Sequence, residues 1–349
     1  MAISAISPDA ARWIRTWLIV LGLLVYATVL VGGATRLTDS GLSITEWRPV
    51  TGTLPPLNAQ DWASEFDKYR DTTQYKLQNK GMSLAEFQFI YWWEWGHRQL
   101  GRFIGLVAVL GFAVFAARRW LGGGLGWKLA GLIALGGMQG AIGWWMVASG
   151  IGDTDRVSVA PYRLMTHFSL ALLILCVIAW LWLSLGRDGR VPAPKQARPV
   201  ALGLLALVFV QMAAGALVAG LDAGRTYNDW PLMAGELVPS HYIRADLGLR
   251  SFFEGRAATQ FNHRFLAYLL WGVSLWAAWR YRATALARTF AVLAALVSAQ
   301  AVWGILTLLN AAPLTLALVH QGLGVIVTLA AVHLAWSASG PVTRSPVPA

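Results

Sequence analysis

Hydrophobic and polar positions alternate along this chain on the scale of whole helices. Apolar runs centre on residues 15–35, 100–117, 127–148, 164–185, 199–220, 264–281, 286–308 and 315–337. Each comes close to the roughly 20 residues that an α-helix needs to cross a bilayer. A segment in lipid must satisfy its backbone groups internally, so runs of this length predict helices. The expected fold is an all-α polytopic membrane protein with eight transmembrane helices, and the even number puts both termini on one side.

The longest polar interval, 36–96, forms an outer loop after the first span. Within it Ser83 and Glu86 make an S-x-x-E pattern, a capping box that predicts a helix start. That helix is expected to run through FQFIYWWEWGH into the second span. Tyr91, Trp92, Trp93 and Trp95 then fall where an aromatic belt marks the membrane interface.

The pattern is also repeated. GLSITEWRPVTGTL (41–54) and GRTYNDWPLMAGEL (224–237) share G-x5-W-x4-G-x-L, each in the outer loop after the first helix of its half. The HR pair at 97 and 98 recurs at 263 and 264, Gln139 has a counterpart in Gln300, and MTHFSLAL (165–172) has one in LVHQGLGV (318–325). Four landmarks in one order argue for duplication. Two pseudo-symmetric four-helix bundles are expected, 1–185 and 199–349, joined by a cytoplasmic linker at 186–198.

Composition fixes the environment. The chain is 56% hydrophobic and 13% charged, against about 25% charged in soluble domains. Thirteen basic residues, from Arg12 to Arg344, lie with only Asp9 and Asp188 on the side of the termini. The positive-inside rule makes that side cytoplasmic. The other side is balanced, so the net charge of +11 is a topology signal and calls for no nucleic-acid partner. Residues 1–14 lack the pattern of a cleaved signal or a transit peptide, so the first span is expected to stay. The single cysteine, Cys176, reads as a small hydrophobe inside a span and leaves no disulfide or cysteine metal site.

Four of the six histidines change the picture. His97, His167, His263 and His320 each fall in the first turns of an even-numbered span, and all even-numbered spans run from outside to inside. All four therefore lie at one depth near the outer surface, two per half. Ionisable residues there are costly and usually functional. One imidazole on each axial position of a haem, with the macrocycle in the bundle core, fits such pairs. Zinc would call for a third or fourth close ligand. His241 in an outer loop and His333, 13 residues beyond His320, have no repeat partner and read as ordinary residues.

The halves differ one turn before the first histidine of each, with Glu94 ahead of His97 and Gln260 ahead of His263. A carboxylate can take protons or steady developing positive charge, whereas an amide only hydrogen-bonds. The competing reading is that Glu94 merely pairs with Arg98 at i+4. Arg98, Arg102 and Arg264 lie in the outer headgroup zone, where the guanidinium fork suits haem propionates or lipid phosphates. The matched positions of Arg98 and Arg264 favour propionates.

At these residues the chain resembles the haem A synthase family over nearly its whole length. VGGATRLTDSGLSITEWRPVTGTLPP is similar to that family's first outer-loop segment, and FQFIYWWEWGHRQLGR carries its E-x-x-H-R signature. YRLMTHFSLAL, TQFNHRFLAY and ALVHQGLG carry its other three histidines. The resemblance implies oxidation of the C8 methyl of haem O to a formyl group by successive hydroxylations and loss of water, giving haem A for terminal oxidases. It implies that His97 and His167 bracket the substrate haem O, that His263 and His320 ligate a resident haem b, and that Glu94 is the acidic residue beside the reacting haem.

The outer loops contain no cysteine, which places the resemblance in the branch without an outer-loop cysteine pair, and the short N-terminus without an Arg- and Ser-rich leader favours a bacterial plasma membrane. The expected partners are the haem O substrate, an unidentified electron donor, membrane lipids and the haem O synthase as a source of substrate. A cytochrome b561-like di-haem electron carrier and a haem chaperone are the rival readings. The carrier would want haems near both faces, and the chaperone has no need of Glu94.

Overall fold

The computed structural model describes residues 6–186 and 189–343. Arg187, Asp188 and Arg344 of the charge count lie outside the described residues. The chain is almost entirely helical: α1 (Pro8–Leu37), α2 (Ala59–Arg70), α3 (Thr73–Leu77), α4 (Leu84–Ala117), α5 (Leu125–Val147), α6 (Pro161–Ser184), α7 (Ala197–Gly220), α8 (Ser251–Glu254), α9 (Arg256–Arg280), α10 (Ala287–Leu309) and α11 (Leu314–Ser337). Two-residue strands β1 (Ala193–Pro194) and β2 (Val342–Thr343) pair in parallel between the linker and the C-terminal segment.

Seven of these helices, α1, α4, α5, α6, α7, α10 and α11, are long and apolar enough to cross a membrane. The helix at the remaining expected span, α9, has 25 residues, about 37 Å at 1.5 Å per residue. Its polar start, with Gln260, Asn262, His263 and Arg264, and its tryptophans 271, 276 and 279 lower its apolarity. It nonetheless packs lengthwise between α7 and α10.

Helix α1 lies against α4 and α6, and α5 against α4 and α6, while α7, α9, α10 and α11 make a second ring of the same kind. Each ring has its own apolar core. Ile14, Leu18 and Leu21 of α1 meet Leu125 and Leu129 of α5 and Leu172 and Leu175 of α6. In the other ring Leu204, Val208, Phe290, Leu293, Ala331 and Leu334 do the same. The rings meet along α1 and α6 on one side and α7 and α11 on the other. Among the polar ties across this seam, Tyr162 Oη donates to the Glu254 carboxylate at 3.1 Å. The Gln321 amide donates to the Val29 carbonyl at 2.9 Å, and Arg36 bridges Asp39 at 3.0 Å and Asp222 at 2.6 Å.

Helix α4 starts at the expected capping box, with Glu86 N–H donating to Ser83 Oγ and Ser83 N–H to the Glu86 carboxylate. It continues without a break through His97. The loop before it folds back as α2 and α3, which sequence inspection did not predict, and Phe66, Tyr69, Phe87, Ile90 and Tyr91 form a small core between loop and helix. Tyr91, expected in the interface belt, is therefore buried in this loop core, whereas Trp92 stays exposed.

Candidate functional site

The four histidines meet in two pairs. His97 on α4 and His167 on α6 have ring centres 6.4 Å apart, and His263 on α9 and His320 on α11 have theirs 6.5 Å apart. Two imidazoles bound to opposite sides of one metal, each at about 2 Å from its nitrogen, put ring centres about 6 Å apart. Both pairs thus have the spacing of a bis-imidazole iron. Among the described residues no group of three or more His, Cys, Asp or Glu converges. His241 and His333 are both exposed, away from the pairs.

Each imidazole is seated by the helix preceding its own span. A Cβ built on Gly32, Gly143, Gly215 or Gly304 would meet Cε1 of His97, His167, His263 or His320 at 2.8, 2.8, 3.1 and 2.8 Å. Each ring edge therefore lies in a notch that any side chain would fill. One turn earlier, three of the four notches carry glutamine. The Gln139 amide donates to the His167 carbonyl at 3.0 Å, Gln211 to that of His263 at 3.1 Å, and Gln300 to that of His320 at 2.9 Å. The same amide nitrogens lie 3.1–3.2 Å from the Nδ1 atoms of those rings. Such contacts orient a ligating histidine and fix which nitrogen faces the metal. Gln139 and Gln300 stand out as repeat partners, whereas Gln211 and the glycines do not when half is compared with half. The Q-x3-G pattern at 139–143, 211–215 and 300–304 is the signal that finds them.

Beside the pairs, the repeat loops at 41–54 and 224–237 are clamped by the two matched arginines. Arg98 donates to the carbonyls of Ile44 at 2.8 Å and Glu46 at 3.0 Å. Arg264 donates to those of Tyr227 and Asp229, both at 3.0 Å, and of Leu232 at 3.1 Å. Ile44 and Tyr227 occupy one position of the G-x5-W-x4-G-x-L repeat, and Glu46 and Asp229 another. Arg102 donates to the carbonyls of Pro49 at 2.8 Å and Arg48 at 2.9 Å. In this structure Arg98 and Arg264, expected at propionates, and Arg102, for which propionate and lipid phosphate were both open, spend donors on loop carbonyls.

The halves part at Glu94. It is buried, 3% exposed, and does pair with Arg98, whose Nε donates to it at 3.1 Å and whose Nη2 also binds it. It accepts in addition from Ser43 Oγ at 2.8 Å and the Ile44 N–H at 2.9 Å. Four donor atoms, two of them on the Arg98 guanidinium, thus converge on this carboxylate. Gln260, equally buried, donates to the Tyr227 carbonyl at 2.9 Å, and its Oε1 has no partner.

The model of the cytochrome oxidase assembly protein family COX15-CtaA matches residues 15–332. The chain belongs to this family. Among its relatives, a protein of Hyphomonas neptunium named heme A synthase is 74% identical over 343 residues, 98% of each chain. Proteins of the same name from Dinoroseobacter shibae and Maricaulis maris are 53% and 48% identical. They cover 90% and 95% of this chain and 84% and 98% of their own. For a COX15-CtaA protein the matched segment takes in all four histidines, all four glycine notches and both arginine clamps.

Proposed function

We propose that this chain is a haem A synthase, an oxidoreductase of the membrane that oxidises the C8 methyl of haem O to the formyl group of haem A. The observation that carries the reading is a pair of matched imidazole pairs, one of which alone has a carboxylate beside it. His97 and His167 hold the substrate haem O, and His263 and His320 hold a resident haem b. The 1–185 bundle reacts and the 199–349 bundle serves it with electrons.

A haem supplies the redox chemistry when bound; the chain supplies position and charge. Glu94, fixed by Ser43, Ile44 and Arg98, presents a pre-oriented negative charge one turn from His97, where positive charge develops at the methyl during oxidation. Oriented charge in a water-poor site costs no reorganisation as the reaction proceeds. Arg98 and Arg264 act on the haems by holding the loops that roof them, and by offering cationic edges to propionates. An apolar groove of about 340 Å³ between α5, α6 and α7 runs beside His167, lined by Met138, Ile142, Met165, Leu170, Leu173 and Phe209. Its chemistry suits an isoprenoid tail arriving from lipid.

The protein sits in a bacterial plasma membrane with eight spans, α9 included, both termini cytoplasmic and the haem sites toward the outer face. The electron donor is a separate protein or quinol, and the haem O synthase delivers the substrate. The decisive experiment is chromatography of haems from cells that make haem O but no haem A, with and without the chain. Haem A or its hydroxylated precursor only with the chain supports the reading. Recovery of haems B and O alone overturns it in favour of a carrier or chaperone.

A further inference from the structure

The four seats of the imidazoles are built on one plan, and one of them departs from it. Where α5, α7 and α10 carry Gln139, Gln211 and Gln300 four residues before the notch glycine, α1 carries Thr28 before Gly32. Thr28 cannot do the amide's work. Its hydroxyl donates back along its own helix to the Leu24 carbonyl at 2.8 Å, and its side chain is two atoms shorter. The notch itself is unchanged, since Gly32 approaches His97 as closely as Gly143 and Gly304 approach their rings. The consequence falls on the ring: Nδ1 of His97 is buried without a hydrogen-bond partner, and no ring nitrogen of the other three histidines shares that state.

We propose that Thr28 is a positioning residue that makes His97 the yielding imidazole of the four. Three rings are tied by an amide that grips both the ring and the backbone of its helix, so that rotation or withdrawal breaks two contacts at once. His97 has no such amide grip on its ring or on its backbone, and its Nδ1 is left without a partner. Of the two haems, the one in the 1–185 bundle is therefore the one that opens an axial position, and it opens on the His97 face, the face that carries Glu94. This rests on the reading that His97 and His167 are the axial ligands of the substrate haem.

The test uses the full-length protein purified with haem in both bundles, reduced, with carbon monoxide as the probe of an open axial position. In the native chain one haem per chain is expected to bind carbon monoxide. Thr28→Gln supplies the missing amide and is expected to slow binding about 10- to 100-fold, the usual weight of contacts that orient a metal ligand. Gln211→Thr is the reciprocal change, and it is expected to make the second haem reactive. Thr28→Val, which removes only a hydroxyl bonded to its own helix, is expected to behave as the native chain.

Native rates in Thr28→Gln with two haems retained would overturn the proposal, as would carbon monoxide binding at the 199–349 haem of the native chain. Should Thr28→Gln fail to hold haem, the Gln211→Thr result decides alone: an unreactive second haem overturns the proposal. His97→Ala separates the two levels. If it leaves the low-spin spectrum of the first haem unchanged, the ligand assignment itself fails, whatever Thr28 does.

Discussion

The two halves share a frame so closely that Arg98 and Arg264 reach the same two carbonyl positions of the repeat, yet they differ at the residues around one imidazole. On the first half Glu94 replaces the amide of Gln260, and Thr28 replaces the amide of Gln211. Both exchanges flank His97, one adding a fixed charge and the other removing a tether. The seat of His263 has an amide on each of those sides, and His320 is tied by Gln300. In the second half both imidazoles are gripped by an amide, whereas in the first half His97 has a carboxylate one turn away and no amide contact. Such a contrast is expected of a site that reacts beside a site that only holds its cofactor.

The comparison is broken most severely by removing ligands. His263→Ala is expected to lose the resident haem outright. His97→Ala keeps that haem and abolishes turnover, as read by haem-to-protein ratio and product chromatography. Next is Glu94→Gln, which makes the first half resemble the second. It is expected to retain both haems and lose about 10²–10³-fold in turnover, the weight of one pre-oriented electrostatic contact. Because Arg98 is then left partly buried without its anion, a stability loss of about 3–5 kcal/mol is expected as well. Full activity in this variant sinks the assignment of Glu94.

A smaller and symmetric effect is expected from the notches. Gly143→Ala and Gly304→Ala push a methyl to 2.8 Å from a ring carbon and should cost about 1–3 kcal/mol of overpacking, seen as early haem loss on heating. Gly215→Ala, at 3.1 Å, should cost less than either. The weakest effect belongs to the first outer loop, where Lys68 binds Glu46 at 2.8 Å and Glu65 at 2.7 Å. The hydrogen bond from Lys68 holds the Glu46 carboxyl below its ordinary value. Its contribution is therefore present above the unfolded-state value of 4.5 and is lost as pH falls through the lower folded-state value. For a solvent-screened pair this amounts to about 0–1 kcal/mol, checked by thermal unfolding of Glu46→Gln against the native chain across that acid range, at low and high salt.

Much of this was legible beforehand, for reasons that can be named. The capping box of Ser83 and Glu86 and the unbroken helix through His97 follow from local chemistry. The seven apolar helices follow from the length of their runs, while α9 shows the limit, its polar first turns and tryptophans diluting the signal. The histidine pairs were legible because the repeat places one histidine on the second and one on the fourth long helix of each half, near matching ends. The seats were missed because the counterpart of Gln211 is a threonine, so that comparing half with half hides a pattern that only comparing each helix pair with the next reveals. The role of the arginines was open because a guanidinium fork fits a propionate, a phosphate or a pair of carbonyls equally well.

By itself the sequence determined which segments form helices, seven of them long and apolar enough to cross a membrane, because lipid penalises exposed backbone whatever its neighbours are. Only the tertiary structure decided how closely the paired imidazoles approach, which carbonyls the arginines grip, and which ring nitrogen is left without a partner. Those depend on the rotation and close approach of helices far apart in the chain, Thr28 and His97 being 69 positions apart, and one absent side chain at each notch sets how near a ring can come.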